Sequence, residues 1–250
     1  MRQASAEDGS DAEANAIRCH ERGVTVEFLV AFTVAHDCWE WPTWRVVRDI
    51  ITPATAHRRC RYADLPECAG HVGAATVFGS HCWGAPWGDL VAAVSCGARA
   101  GRRVWVDCFA VRQWPGNGAD LDFRGIVRRC DALMLVATSL PSVAALDAQD
   151  IASGVAVVCS SDRRMLAFFR VWCLVEIGAA LHHSRAVLMK AGRHSVGEGG
   201  AVRFEADREM LEKMMLLVNV MEAEATVPAD RDRILRDVQA APGGAEALRT

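Results

Sequence analysis

The sequence predicts an α/β protein with a doubly wound parallel sheet and added helices at both ends. Three observations carry this. Short apolar runs of strand character recur at residues 75–80, 103–111, 132–138 and 185–190. Helical patterns separate them, which is the signature of βαβ units with right-handed crossovers. The second run, Arg103 to Val111, is apolar at successive positions, as a strand covered by helices on both faces requires.

Composition bounds the function. The chain has 250 residues, 51% of them hydrophobic, and a net charge of −3, so it is large enough for one substantial domain plus extensions. It carries no basic stripe, which excludes an electrostatic footprint for nucleic acid. Its first long apolar run, Val24 to Ala35, contains Glu27 and falls short of the roughly eighteen residues of a membrane span. Ten cysteines are scattered along the chain and read as small buried hydrophobes in a reducing cytoplasm. Cys60, Cys68, His71 and Cys82 lack the paired spacing of a zinc clasp, so no metal is expected.

Taken in order, residues 1–14 are acidic and Ala/Ser-rich without a basic leader, and are expected to form a disordered tail. Residues 15–70 read as a helical extension and linker. One helix runs from Val24 to about Asp37, and a second from Pro42 to a stop at Pro53, with Trp39, Trp41 and Trp44 packed at their junction. The α/β domain spans 71–192. Its first strand, Ala75–Ser80, feeds a polar loop, and a helix follows over Asp89–Ala98. After the second strand comes a Gly- and Pro-rich loop, Arg112–Asp120, then a helix over Leu121–Arg129 and the third strand, Ala132–Thr138. Residues 139–165 form an insert in which Val155–Cys159 has strand character. A helix ending at Leu181 buries Leu174, Ile177 and Leu181 at offsets of three and four, and Arg185–Lys190 is the fourth strand. Gly192–Gly200 is a glycine-rich loop without the strand and helix context of a phosphate cradle. Residues 193–250 are a C-terminal helical extension: one helix from Asp207 presents Met210, Leu211, Met214, Met215 and Val218, and a last one spans Pro228–Val238 before a loose tail at Gly243–Thr250.

Ligands of a doubly wound sheet bind at the carboxyl ends of its strands. Those ends carry Ser80, His81, Cys82 and Trp83, then Asp107 and the loop to Asp120, then Thr138 and Ser139. Adjacent residues of a strand point to opposite sides, so Ser80 and His81 do not form a nucleophile and base, and His81 reads as a hydrogen-bonding loop residue. Asp107 either caps a backbone turn or orients a ligand. Trp172 and Glu176 are four residues apart and share a helix face. Glu176 is then either salt-bridged at the rim of a core or placed at the floor of a cleft.

The runs Val77-Phe78-Gly79-Ser80-His81, Val104-Trp105-Val106-Asp107 and above all Trp172-Cys173-Leu174-Val175-Glu176-Ile177 resemble the Toll/interleukin-1 receptor (TIR) domain, in the divergent form found in algae and other protists. The resemblance covers residues 74–190. It implies a flavodoxin-like sheet and cleavage of the nicotinamide–ribose bond of NAD+, with Glu176 as catalytic carboxylate and no cofactor. It implies that Ser80, His81, Trp83, Asp107, Arg112, Trp114 and Trp172 surround the substrate, with Trp114 either stacked on a base or anchored to its own loop. It matches Arg112–Asp120 to the family's gating and self-association loop. Many TIR domains are adaptors, so a non-catalytic interaction module in signalling is the alternative expectation, and an enzyme acting on another nucleoside or nucleotide is a third.

Overall fold

The computed structural model describes residues 15 and 18–217, together with 231, 232, 234 and 236. The tails expected at 1–14 and 243–250 and most of the expected last helix lie outside the described residues.

The strands are β1 (Gly23–Thr25), β2 (Val72–Gly73), β3 (Val77–His81), β4 (Arg103–Trp105), β5 (Ala132–Thr138), β6 (Ala186–Val196) and β7 (Val202–Ala206), in one sheet of order β2-β1-β4-β3-β5-β6-β7. The four central strands, β4-β3-β5-β6, are parallel. Both margins are antiparallel. The fold is therefore α/β and doubly wound, with the strand order reversing between β3 and β5.

Side-chain alternation divides the core in two. On one face Phe78, Trp105, Leu133 and Leu135 pack with α6 (Phe123–Arg129) and α10 (Val171–His182). On the other, Val77, Val104, Met134 and Val136 pack with α1 (Val26–Ala35) and α4 (Trp87–Ser95). The stretch expected as an N-terminal extension thus supplies β1 and shares one core with the sheet.

Local chemistry explains where expectation and structure part. The first helix starts at Val26, because Val24 and Thr25 pair with β4 and Thr25 Oγ1 accepts the Phe28 amide at 3.3 Å as an N-cap. Pro53 does not stop the second helix. The chain runs through α2 (Thr43–Val46), a π-helical turn at Val47–Ile51 and α3 (Thr52–Thr55), and the widened turn precedes a residue that has no N–H to give. Of the junction tryptophans, Trp39 is buried, Trp41 half-buried and Trp44 exposed.

The second strand ends at Trp105 rather than Val111. Asp107 Oδ1 accepts the Cys108 amide at 2.7 Å and the chain turns into α5 (Asp107–Ala110). The insert carries three short helices, α7 (Pro141–Ala144), α8 (Ala148–Ala152) and α9 (Ser160–Arg163), and Val155–Cys159 between the last two is irregular, with Val155 and Val157 exposed. The expected glycine loop is largely strand: β6 continues to Val196 and pairs with β7. Gly192 permits this, because a Cβ there would stand 2.2 Å from Glu205 O. Leu181 is exposed at the end of α10. In α11 (Arg208–Leu217) Met210 and Met214 are buried but Met215 is exposed, and Val218 lies outside the described residues.

Candidate functional site

Ser80 leads off the carboxyl edge of β3, paired in register with Leu135 of β5. Asp107 follows β4 at the matching position, since Phe78 and Trp105 are partners two residues earlier. α10 crosses β3 and β5 and presents Glu176, of which 6% is exposed. Ser80, Asp107 and Glu176 therefore meet at the point where the strand order reverses, which is where open α/β sheets take their ligands.

Among the described residues Glu176 forms no salt bridge. Glu176 Oε2 and Ser80 Oγ are both buried and have no hydrogen-bond partner of good geometry among the described residues. Burial pushes the Glu176 carboxyl up to about 8; the nearby Ser80 hydroxyl offsets part of this and the Asp107 charge adds to it. Cys173, on the same helix, is buried and its thiol is held well above its ordinary range by burial and by Glu176. It is a structural neighbour rather than a thiolate nucleophile.

Asp107 is held from two sides: Oδ2 accepts Trp83 Nε1 at 2.7 Å and Oδ1 caps the backbone. Both functions weighed for it remain compatible with that geometry, because each oxygen keeps a second lone pair. His81 turns away and bonds Thr43 Oγ1 at 3.0 Å, and burial lowers its pKa. The loop from Cys82 to Pro86 is closed from outside by the end of the insert, where Cys82 Sγ donates to Arg164 O at 2.6 Å and a Cβ on Gly84 would stand 2.9 Å from the same oxygen.

Trp172 meets Phe123 edge to face at 5.4 Å, packing α10 against α6. Arg112 and Trp114 belong to a different constellation. Arg112 Nε binds Asp120 Oδ2 at 3.1 Å and its Nη2 donates to Gly116 O, while Trp114 Nε1 donates to Thr55 Oγ1 at 3.1 Å with Arg59 over its ring. These contacts fasten the 112–120 loop to the N-terminal segment, and neither residue's hydrogen bonds point to Glu176.

Two polar centres escaped the sequence reading. Asp120 is fully buried and bonds Arg22, Arg61 and Arg112. Asp89 is buried and accepts Thr138 Oγ1 at 2.6 Å, the His194 amide at 2.8 Å and His194 Nδ1 at 2.7 Å. An acid inside an apolar helix, as in Asp89-Leu90-Val91, is the only signal that foretold the second. The cysteine and histidine weighed as metal ligands have other partners: Cys68 Sγ bonds Tyr62 O and His71 Nδ1 meets Thr25 Oγ1. Among the described residues no three His, Cys, Asp or Glu side chains are grouped to hold a metal, and no helix is long and apolar enough to cross a membrane. An apolar groove of about 580 Å3, lined by Phe28, Phe32, Ile50, Tyr62 and others, contains none of the expected site residues. No family model, curated protein or solved structure matches this chain.

Proposed function

We propose that the chain is an NAD+ nucleosidase whose catalytic group is Glu176. The observation that carries this reading is the buried pair of Glu176 and Ser80 at the reversal point of the sheet: among the described residues neither Glu176 Oε2 nor Ser80 Oγ has a hydrogen bond of good geometry, and Glu176 has no ion pair. A buried polar atom without a partner costs free energy, so a carboxyl oxygen left in this state at a strand edge is suited to a ligand that supplies the missing bond. The substrate class rests on the resemblance of the Trp172–Ile177 run to the TIR domain.

The chemistry suits the group. Breaking the C1′–N bond sends its electron pair to the nicotinamide nitrogen, which leaves neutral, and positive charge grows on the ribosyl carbon and ring oxygen. A carboxylate beside that carbon stabilises the charge, and Asp107 adds to the negative field. Water then forms the C1′–O bond and its proton passes to Glu176. In the free protein Glu176 is protonated at neutral pH, and the approaching pyridinium cation favours its ionised form. Ser80 Oγ is placed to hold a ribose hydroxyl. A cytoplasmic setting fits the ten free thiols.

Nicotinamide release from NAD+ tests the reading. Wild type is expected to release it and Glu176→Gln to lose at least about 100-fold of that rate. No release at any protein concentration, from folded wild type or from any folded variant that opens the site, would overturn it. A second reading, a silent interaction module, is favoured by the closure of the Cys82–Pro86 loop under Arg164 and by the fastening of the 112–120 loop through Asp120. It expects wild type and Glu176→Gln to behave alike, with self-association lost when that loop is altered.

A further inference from the structure

Residues 38–44 run across the start of α4 and the loop that leads into it. The Trp87 and Gly88 amides, the first of α4, donate to Trp41 O at 2.7 Å and Trp39 O at 2.9 Å. In return the Thr43 and Trp44 amides donate to Ala85 O and Trp83 O at 3.2 and 3.0 Å, and Pro42 bridges to Pro86. Thr43 Oγ1 also holds His81. The 82–86 loop is thus clasped by this strap on one side and by Arg164 on the other, next to Ser80 and Glu176.

The strap is fastened at one exposed point. Glu40, 72% exposed at its side chain, reaches His194 Nε2 at 3.1 Å and Arg193 Nη2 at 3.5 Å. Behind it the anchor is buried: His194 Nδ1 meets Asp89 Oδ1 at 2.7 Å, and the ring stacks on Trp39 at 5.8 Å. Packing is close enough that a Cβ on Gly88 would stand 2.7 Å from Trp39 O and 2.9 Å from the His194 ring. A buried anchor with a solvent-exposed clasp is stable at one end and easily broken at the other.

We infer that residues 38–44 are an autoinhibitory strap, latched through Glu40 to Arg193 and His194, that keeps the 82–86 loop closed over Glu176 until the latch opens. The nature of what enters rests on the nucleosidase reading; the strap itself does not. The groups facing His194 are Asp89 from α4, Glu40 from the strap and Arg193 beside it in β6. The Asp89 hydrogen bond first, and the charges of Asp89 and Glu40 with it, hold His194 protonated above the ordinary histidine range, against burial and Arg193. As pH rises through that raised value Nε2 loses its proton, Glu40 keeps only Arg193, and the strap loosens.

Amide exchange in the full chain tests this without any ligand. In Glu40→Lys, which places a cation against Arg193, the Trp87 and Gly88 amides should exchange roughly tenfold faster than in wild type, while those of Leu133–Val136 in β5 keep their rates. Labelling of Cys173 by a small maleimide, beside Glu176, should accelerate in parallel. Relative to the β5 amides, whose exchange rises with hydroxide alone, wild-type exchange at the two amides should rise more steeply with pH, and this excess should vanish in Glu40→Lys. Unchanged exchange at Trp87 and Gly88, an equal acceleration in β5, or unchanged Cys173 labelling would each overturn the strap. Faster exchange and labelling with no nicotinamide release from any variant would leave the strap standing and remove the nucleosidase.

Discussion

Asp120 and Glu176 are both carboxyl groups withdrawn from water, and the fold treats them in opposite ways. Asp120 receives Arg22 Nη1 at 3.0 Å, Arg61 Nε at 3.0 Å, and the Arg112 amide and Nε at 3.1 Å each. Three distant segments are tied together through that one acid, and the cost of dehydrating it is offset by hydrogen-bonded charge. Among the described residues Glu176 has no ion pair, and its Oε2 has no hydrogen bond of good geometry. The first arrangement explains itself as architecture. The second lacks any such ties among the described residues, and the proposed catalytic role of Glu176 rests on that contrast.

The two acids also bend stability in opposite directions with pH. Burial works against ionising Asp120, yet the bonds from Arg61 and Arg112 outweigh it and lower its pKa. Its contribution is present above the ordinary aspartate range and lost as pH falls through the lowered value. Glu176 is raised to about 8, so the stability linked to its neutral form is full below the ordinary glutamate range and is lost as pH rises towards 8.

The largest test of the comparison is Asp120→Ala. It leaves three guanidinium groups facing one another and should cost about 3–5 kcal/mol in urea unfolding, less if water reaches the arginines. Asp89→Ala strips the partners from Thr138 and His194 and should cost about 2–4 kcal/mol by the same measurement. For Glu176 the sign reverses. Glu176→Met fills the space without a charge to desolvate and should gain about 1–3 kcal/mol at pH 8 while abolishing nicotinamide release. A loss of stability there would make Glu176 a second architectural acid. Trp172→Phe, which trims the contact with Phe123, should cost about 1 kcal/mol and leave the pKa of Glu176 in place, as a carboxyl NMR titration would read.

Much of this was legible in the sequence because it depends on neighbours in the chain. β5 lies at Ala132–Thr138 as its apolar run indicates, and α10 carries Trp172 and Glu176 as their spacing requires. Ser80 and Asp107 reach the same edge because strand direction follows from βαβ order. What the sequence hid depends on partners far away. Nothing local tells that Asp120 meets Arg22 and Arg61 or that Asp89 meets His194, 105 residues on. β7 is hidden because its partner strand contains Gly192 and joins it through Gly197, Gly199 and Gly200, a run that resembles a loop. Nor does the sequence tell that Arg112 bonds Asp120 and Trp114 bonds Thr55, because a loop residue's direction is set by what it docks on.

On the proposed reading Glu176 is an acid kept unpaired for catalysis. The most direct measurement is the pH dependence of kcat/KM for nicotinamide release from NAD+, made on Glu40→Lys so that the strap's own response is absent. Because kcat/KM reports the free protein, the rate should rise to a plateau with a midpoint above the ordinary glutamate range, and a Glu176→Gln counterpart should stay at background throughout. A flat profile, or a glutamine variant that keeps pace with its parent, would contradict the account.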